Sequence, residues 1–139
     1  MYIDTSCLGS YYIEEVHSQN VQSILLNDEL PILSSLTEVE FHSMLNKKLR
    51  TNQINESQQK RIIDKFNEHL RAGLFEMLPL NDSVYHAARW VLAKTVCPIR
   101  TLDSLHLAFA ITNRLTLFST DKVLLNAALD LKVDAVSGI

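Results

Sequence analysis

Glycine, proline and cysteine are scarce in this 139-residue chain, with three, three and two copies, and each scarcity excludes something. Gly9, Gly73 and Gly138 are isolated, so there is no glycine-rich phosphate loop and no nucleotide cofactor is expected. Cys7 and Cys97 lie far apart with no metal-type spacing. They are expected to pack as small thiols in a reduced, cytoplasmic setting. No apolar run approaches the roughly 18 residues of a membrane span, and the N-terminus lacks the pattern of a signal peptide. The five histidines contain no i, i+4 pair of the kind that holds zinc. His106 is expected to be a hydrogen-bonded core histidine, and Trp90 and Tyr85 to serve packing or a dimer contact.

Positive charge is missing from one third of the chain. Residues 1–46 contain no Lys or Arg but seven acids: Asp4, Glu14, Glu15, Asp28, Glu29, Glu38 and Glu40. Residues 47–71 then carry Lys47, Lys48, Arg50, Lys60, Arg61, Lys65 and Arg71. The net charge of −3 excludes an all-over nucleic-acid binder. A local basic arm beside an acidic region can still grip a phosphate backbone. The alternative is a solvated helix face with charge pairs at helical spacing.

What is present is a strand–helix alternation in one domain, 1–139. Short apolar segments at 1–4, 31–35, 74–80, 115–119 and 132–136 read as strands. Helical patterns cover 7–27, broken near His17, then 36–50, 55–72, 81–95, 102–113 and about 121–130. In 81–95, Val84, Ala87, Ala88, Val91 and Leu92 form an inward stripe. Residues 102–113 are apolar nearly all round and predict a buried helix. The pattern implies an α/β fold, a mostly parallel twisted sheet of about five strands with helices on both faces. Parallel strands point their C-terminal ends at one edge, where such folds carry their functional crevice.

Four acids fall at strand ends or in the first turns after them: Asp4, Glu40, Asp103 and Asp121. Each has a structural excuse, because carboxylates are favoured at helix starts and Thr37 with Glu40 has capping-box spacing. Against capping alone, Asp103 shares a face with Leu107 and Ile111, and Glu40 shares one with Leu36 and Met44. Both should point inward, where an unpaired charge costs several kcal/mol. No Lys or Arg within the first 46 residues can pair with Asp4 or Glu40 locally. Converging carboxylates repel unless a cation joins them, and an oxygen-rich set suits Mg²⁺ or Mn²⁺. Asp4 is therefore read as a metal ligand rather than a cap.

The strings "YIDTS", "SSLTEVE", "LDSLHLA" and "STDKVLL" in this order resemble the four motifs of PIN-domain nucleases, above all the VapC toxins of toxin–antitoxin systems. The resemblance runs from residue 2 to about 136. It implies an endoribonuclease in which Asp4, Glu40, Asp103 and Asp121 bind one or two divalent ions. Thr5, Ser6 and Thr120 match hydroxyl positions that orient those carboxylates or metal-bound waters. Glu40 is preferred over Glu38, by motif and by stripe. The resemblance also implies an RNA substrate, a cognate antitoxin protein and a homodimer. Arg100, Lys122, Lys47 and Lys48 are candidate phosphate contacts. The C-terminal strand lacks the asparagine–proline ending of many relatives.

Two rival readings stay open. A receiver-like signalling module would need paired acids after the first strand and a strand-end Lys late in the chain, and neither is present. A catalytically inert PIN-like binding module would be expected to lose a core acid, and all four are there.

Overall fold

A computed structural model describes residues 1–27 and 30–139. Asp28 and Glu29, two of the N-terminal acids, lie outside the described residues. The elements run β1 (Tyr2–Ile3), α1 (Thr5–Tyr12), α2 (Ser18–Leu25), β2 (Ile32–Ser34), α3 (Ser35–Arg50), α4 (Glu56–Arg71) and β3 (Glu76–Leu78). They continue with α5 (Asp82–Lys94), α6 (Thr101–Asn113), β4 (Leu117–Ser119), α7 (Lys122–Asp130) and β5 (Ala135–Ser137). The expected break near His17 is real and separates α1 from α2. The polar "TNQIN" separates α3 from α4, with Asn52 in the left-handed region at φ 57°, which Asn tolerates better than most residues. Asn55 and Gln58 then form a reciprocal capping box that starts α4.

All the strands pair in parallel, in the order β3-β2-β1-β4-β5. The chain builds outward from β1 through β2 to β3. It then crosses back through α5 and α6 to lay β4 on the other side of β1. The direction of winding therefore reverses between β1 and β4, the position at which open α/β sheets form a crevice.

Alternation along a strand sends neighbours to opposite faces, and the two cores follow from it. Tyr2 and Leu117 pack with α5, α6 and α7 residues such as Val91, Phe109 and Leu124. Ile3, Leu33 and Phe118 pack on the other face with Leu8, Phe41 and Phe66. Helix α6 is buried from Ser104 to Ala110 without interruption, as its all-round apolar sequence requires. The stripe of α5 is narrower than its spacing suggests. Val84, Ala88 and Val91 are buried, but Leu92 is 46% exposed because it lies at the margin of that arc. No helix among the described residues is long and apolar enough to cross a membrane.

Candidate active site

The parallel register pairs Ile3 with Phe118, so Asp4 and Ser119 leave the sheet side by side at its C-terminal edge. Ser119 Oγ donates to Asp4 Oδ2 at 2.6 Å. Ser6 Oγ lies 2.7 Å from Oδ1 and 2.9 Å from Oδ2, and the Cys7 amide donates to Oδ1 at 3.0 Å. Asp4 is only 3% exposed. Burial pushes its carboxyl above the ordinary value, against the opposing pull of His106, the Ser119 hydroxyl, the Cys7 amide and the Ser6 hydroxyl. The Cys7 bond makes Asp4 the N-cap of α1, so the capping role that the sequence reading set aside is real.

Glu40 lies in the second turn of α3 and reaches across to two other helices. Its Oε2 accepts from Thr5 Oγ1 at 2.7 Å and meets His106 Nε2 at 2.5 Å. Burial would raise this carboxyl. The hydrogen bond to His106, with the Thr5 hydroxyl, outweighs burial and holds it below the usual range. Helix α3 is capped by Ser34, whose Oγ accepts from the Thr37 amide. The possible Thr37–Glu40 capping box therefore does not form, and Glu40 has no local structural duty. Glu38 makes no such link and sits in the first turn.

Asp103 and Asp121 hold the starts of their own helices. Asp103 Oδ2 accepts from the Arg100 amide at 2.8 Å. Asp121 Oδ1 accepts from the amides of Val123 and Leu124 at 2.7 and 3.2 Å, and its own amide donates to Ser119 Oγ. Each keeps its other carboxylate oxygen clear of these bonds. Asp103 is half-buried and Asp121 exposed, less inward than an apolar helix face suggests, because both stand at the open rim of the sheet.

Of the hydroxyl positions, Thr5 and Ser6 bind Glu40 and Asp4 directly. From β4 the hydroxyl that reaches Asp4 is that of Ser119, one residue before Thr120, because strand alternation turns Ser119 toward β1's side chains. Thr120 instead donates its amide to Ser6 Oγ at 3.0 Å. Sequence reasoning missed Ser119; His106 is the buried, hydrogen-bonded histidine expected from the sequence, but its link to Glu40 was not foreseen. The only available signal for His106 was its position one helical turn after Asp103 on a buried helix.

The candidate cations divide. Arg100 and Lys122 are exposed beside Asp103 and Asp121. Lys48 is committed to Glu15, at 2.7 Å. Lys47 lies about 10 Å further along α3 than Glu40 at the usual rise per residue. On α4, Lys60 pairs with Asp64 and Lys65 with Glu68, so part of the basic arm is the charge-paired face that the spacing allowed.

Among the described residues none of the four acids carries a Lys or Arg ion pair. No three His, Cys, Asp or Glu side chains there stand close enough together to hold a metal ion as they are. Carboxylates without a cation repel one another, and Asp4, Asp103 and Asp121 are each drawn back by amide donors. The topology gives them a shared edge rather than a closed cage. That edge is open, with Arg100, Asp121 and Lys122 exposed along it; a separate cavity of about 420 Å³ is lined by Tyr11, Tyr12, Gln22, Leu26, Lys65 and His69.

The model of the PIN domain matches residues 1–129. No curated protein matches the sequence. Among solved structures, FitAcB from Neisseria gonorrhoeae superposes with a TM-score of 0.74 at 18% identity, covering 99% of this chain and 96% of that one. A toxin–antitoxin complex from Klebsiella pneumoniae gives 0.66 at 14%, covering 99% and 97%. Mycobacterium tuberculosis VapC20, a sarcin-ricin loop cleaving toxin, gives 0.71 at 11%, covering 91% and 93%. At these identities the superpositions speak to the fold.

Proposed function

The chain belongs to the PIN domain family, and on that premise we propose that it is a metal-dependent endoribonuclease of the VapC type, the toxin of a toxin–antitoxin pair. The observation that carries the reading is Asp4: a buried carboxylate without a Lys or Arg partner among the described residues, at the sheet's switch point, with a second inward carboxylate, Glu40, that has no capping role. The donor set is all oxygen, with bare carboxylate oxygens left on Asp103 and Asp121, and it fits a hard divalent ion, Mg²⁺ or Mn²⁺. Asp4, Asp103 and Asp121 would hold the ion. Glu40 would hold a second one or orient the attacking water. When bound, such an ion lowers the pKa of a water and stabilises the leaving oxygen of a phosphodiester.

The chain's own groups do the rest. Ser119 and Ser6 keep the Asp4 carboxylate fixed, and Thr5 does the same for Glu40. Arg100 and Lys122 stand where a phosphate backbone laid across the open rim would meet positive charge. An open edge suits a polymer better than a small molecule, which needs enclosure. The antitoxin partner has support from structural neighbours that are toxin–antitoxin complexes. An RNA substrate, a homodimer and a cytoplasmic site belong to the same proposal.

A second reading, a catalytically inert PIN-like binding module, draws on one observation: three of the four acids also serve as helix caps. One experiment separates the two. Purified protein is incubated with a mixed RNA pool plus Mg²⁺ or Mn²⁺, with EDTA, and as Asp4→Asn. Cuts that require the ion and Asp4 are expected. Neither cleavage nor calorimetric divalent binding would leave the inert module.

A further inference from the structure

We propose that His106 is a positioning residue for Glu40 and that Tyr2 holds its imidazole in the tautomer this role needs. The inference rests on the nuclease reading of the acidic edge.

Tyr2 is fully buried, yet its hydroxyl meets three polar atoms: Ser34 Oγ at 2.9 Å, Thr37 Oγ1 at 3.2 Å and His106 Nδ1 at 2.5 Å. His106 is 3% exposed, and its other nitrogen, Nε2, faces Glu40 Oε2. Two strands and three helices thus meet in one buried polar chain, and a buried polar group without a partner is costly. Among the described residues every buried side-chain polar atom has a partner.

The direction of the bonds follows from chemistry. An ionised carboxylate only accepts, so the bond to Glu40 requires the proton on Nε2. In a neutral imidazole Nδ1 is then an acceptor, and the Tyr2 hydroxyl donates to it. The Tyr2 oxygen in turn accepts from the hydroxyl of Ser34, whose Oγ already receives the Thr37 amide. Thr37 Oγ1 lies 3.3 Å from the Ile3 carbonyl and donates there. Every proton has one acceptor, and the chain ends at Glu40.

The consequence is at one atom. Thr5 and His106 both address Oε2, so Oε1 is left without a protein donor among the described residues. It is the oxygen available to a cation or water. Two donors converging on Oε2 from different helices fix the carboxylate's rotation, which one alone would not. Groups that orient a metal-binding carboxylate in this way commonly matter 10- to 100-fold, as an order of magnitude.

The test compares the unaltered chain with His106→Leu, His106→Gln and Tyr2→Phe. It measures Mn²⁺ affinity by calorimetry, RNA cleavage as separate kcat and KM, folding by thermal denaturation, and ¹⁵N imidazole NMR on the metal-free protein. His106→Leu should lose about 10-fold or more in Mn²⁺ affinity and kcat, with KM for RNA little changed. His106→Gln, whose amide nitrogen takes the place of Nε2, should recover most of the loss. Tyr2→Phe should show a smaller loss and a shift of the His106 nitrogen signals away from the Nε2-protonated form. Unchanged affinity and kcat in His106→Leu would overturn the inference while leaving the nuclease reading intact. So would an Nδ1-protonated tautomer in the unaltered chain, or equal losses in the Leu and Gln variants that track only a lowered melting temperature. If the unaltered chain neither cleaves nor binds divalent ions, the nuclease reading falls and takes this inference with it.

Discussion

Ser119 donates its hydroxyl to Asp4 Oδ2 across the boundary between β4 and β1, at 2.6 Å. Both residues are buried, and the same Ser119 oxygen accepts the Asp121 amide. One side chain thereby couples the acid after the first strand to the acid after the fourth. Ser119→Ala should leave the Asp4 carboxylate short of a donor and cost about 1–3 kcal/mol of stability, the range for a buried group that loses its partner. Urea denaturation with an unchanged m-value would measure it, and a loss near zero would mean that water replaces the hydroxyl.

Ionising a carboxylate buried without a Lys or Arg partner is costly, which places a strain on the metal-free fold when Asp4 carries its charge. Asp4→Asn keeps an acceptor for the Cys7 amide and removes that charge. The variant is expected to melt at or above the temperature of the unaltered protein at pH 7 while losing cleavage. Mg²⁺ or Mn²⁺ at 100 times Kd should stabilise the unaltered chain alone by about 2.7 kcal/mol, read as a rise in its melting temperature. An equal shift in both proteins would move the ion to another site.

Asp4 and Glu40 respond to pH in opposite senses. Asp4 titrates above its ordinary 3.8 in the fold. Its contribution is fully favourable below the unfolded value and is lost as pH rises through the folded one. Glu40 titrates below its ordinary 4.5, so its contribution is present above that value and lost as pH falls through the folded one. Metal-free stability followed from pH 7 downward should gain from Asp4 as it protonates, and Asp4→Asn should abolish that gain. Stability that depends on pH identically in the two proteins would count against a buried ionised Asp4.

The two acids of α3 should separate cleanly. Glu40→Gln is expected to lose about 10²-fold or more in kcat, the scale at which a positioned acid–base group contributes. Glu38→Gln, in the first turn and without a bond to Thr5 or His106, should stay within a factor of about two. A reversed ranking in the same RNA assay would transfer the role to Glu38.

Cations should sort by what already occupies them. Arg100→Ala and Lys122→Ala should each weaken RNA binding and reduce the salt slope by about 0.7, the value for one phosphate contact on a single strand. Lys48→Ala breaks its pair with Glu15 and should leave the slope unchanged, with at most about 1 kcal/mol lost in stability. Filter binding from 50 to 200 mM salt would detect a Lys48 effect if there is one.

The sequence by itself determined the layered α/β plan, because alternation of short apolar strands with helical patterns admits few packings. It also singled out the candidate acids, since Asp4, Glu40, Asp103 and Asp121 each follow a strand or open a helix at one predicted edge. It favoured Glu40 over Glu38 through the stripe with Leu36 and Met44, and the structure links Glu40 to Thr5 and His106. Only the tertiary structure decided the strand order, and with it the adjacency of β1 and β4 that brings Ser119 rather than Thr120 to Asp4. It alone joined Tyr2 to His106, 104 residues apart. Local pattern records which face a residue occupies, but which distant residue it meets there depends on chain crossovers and on buried polar groups having to find partners.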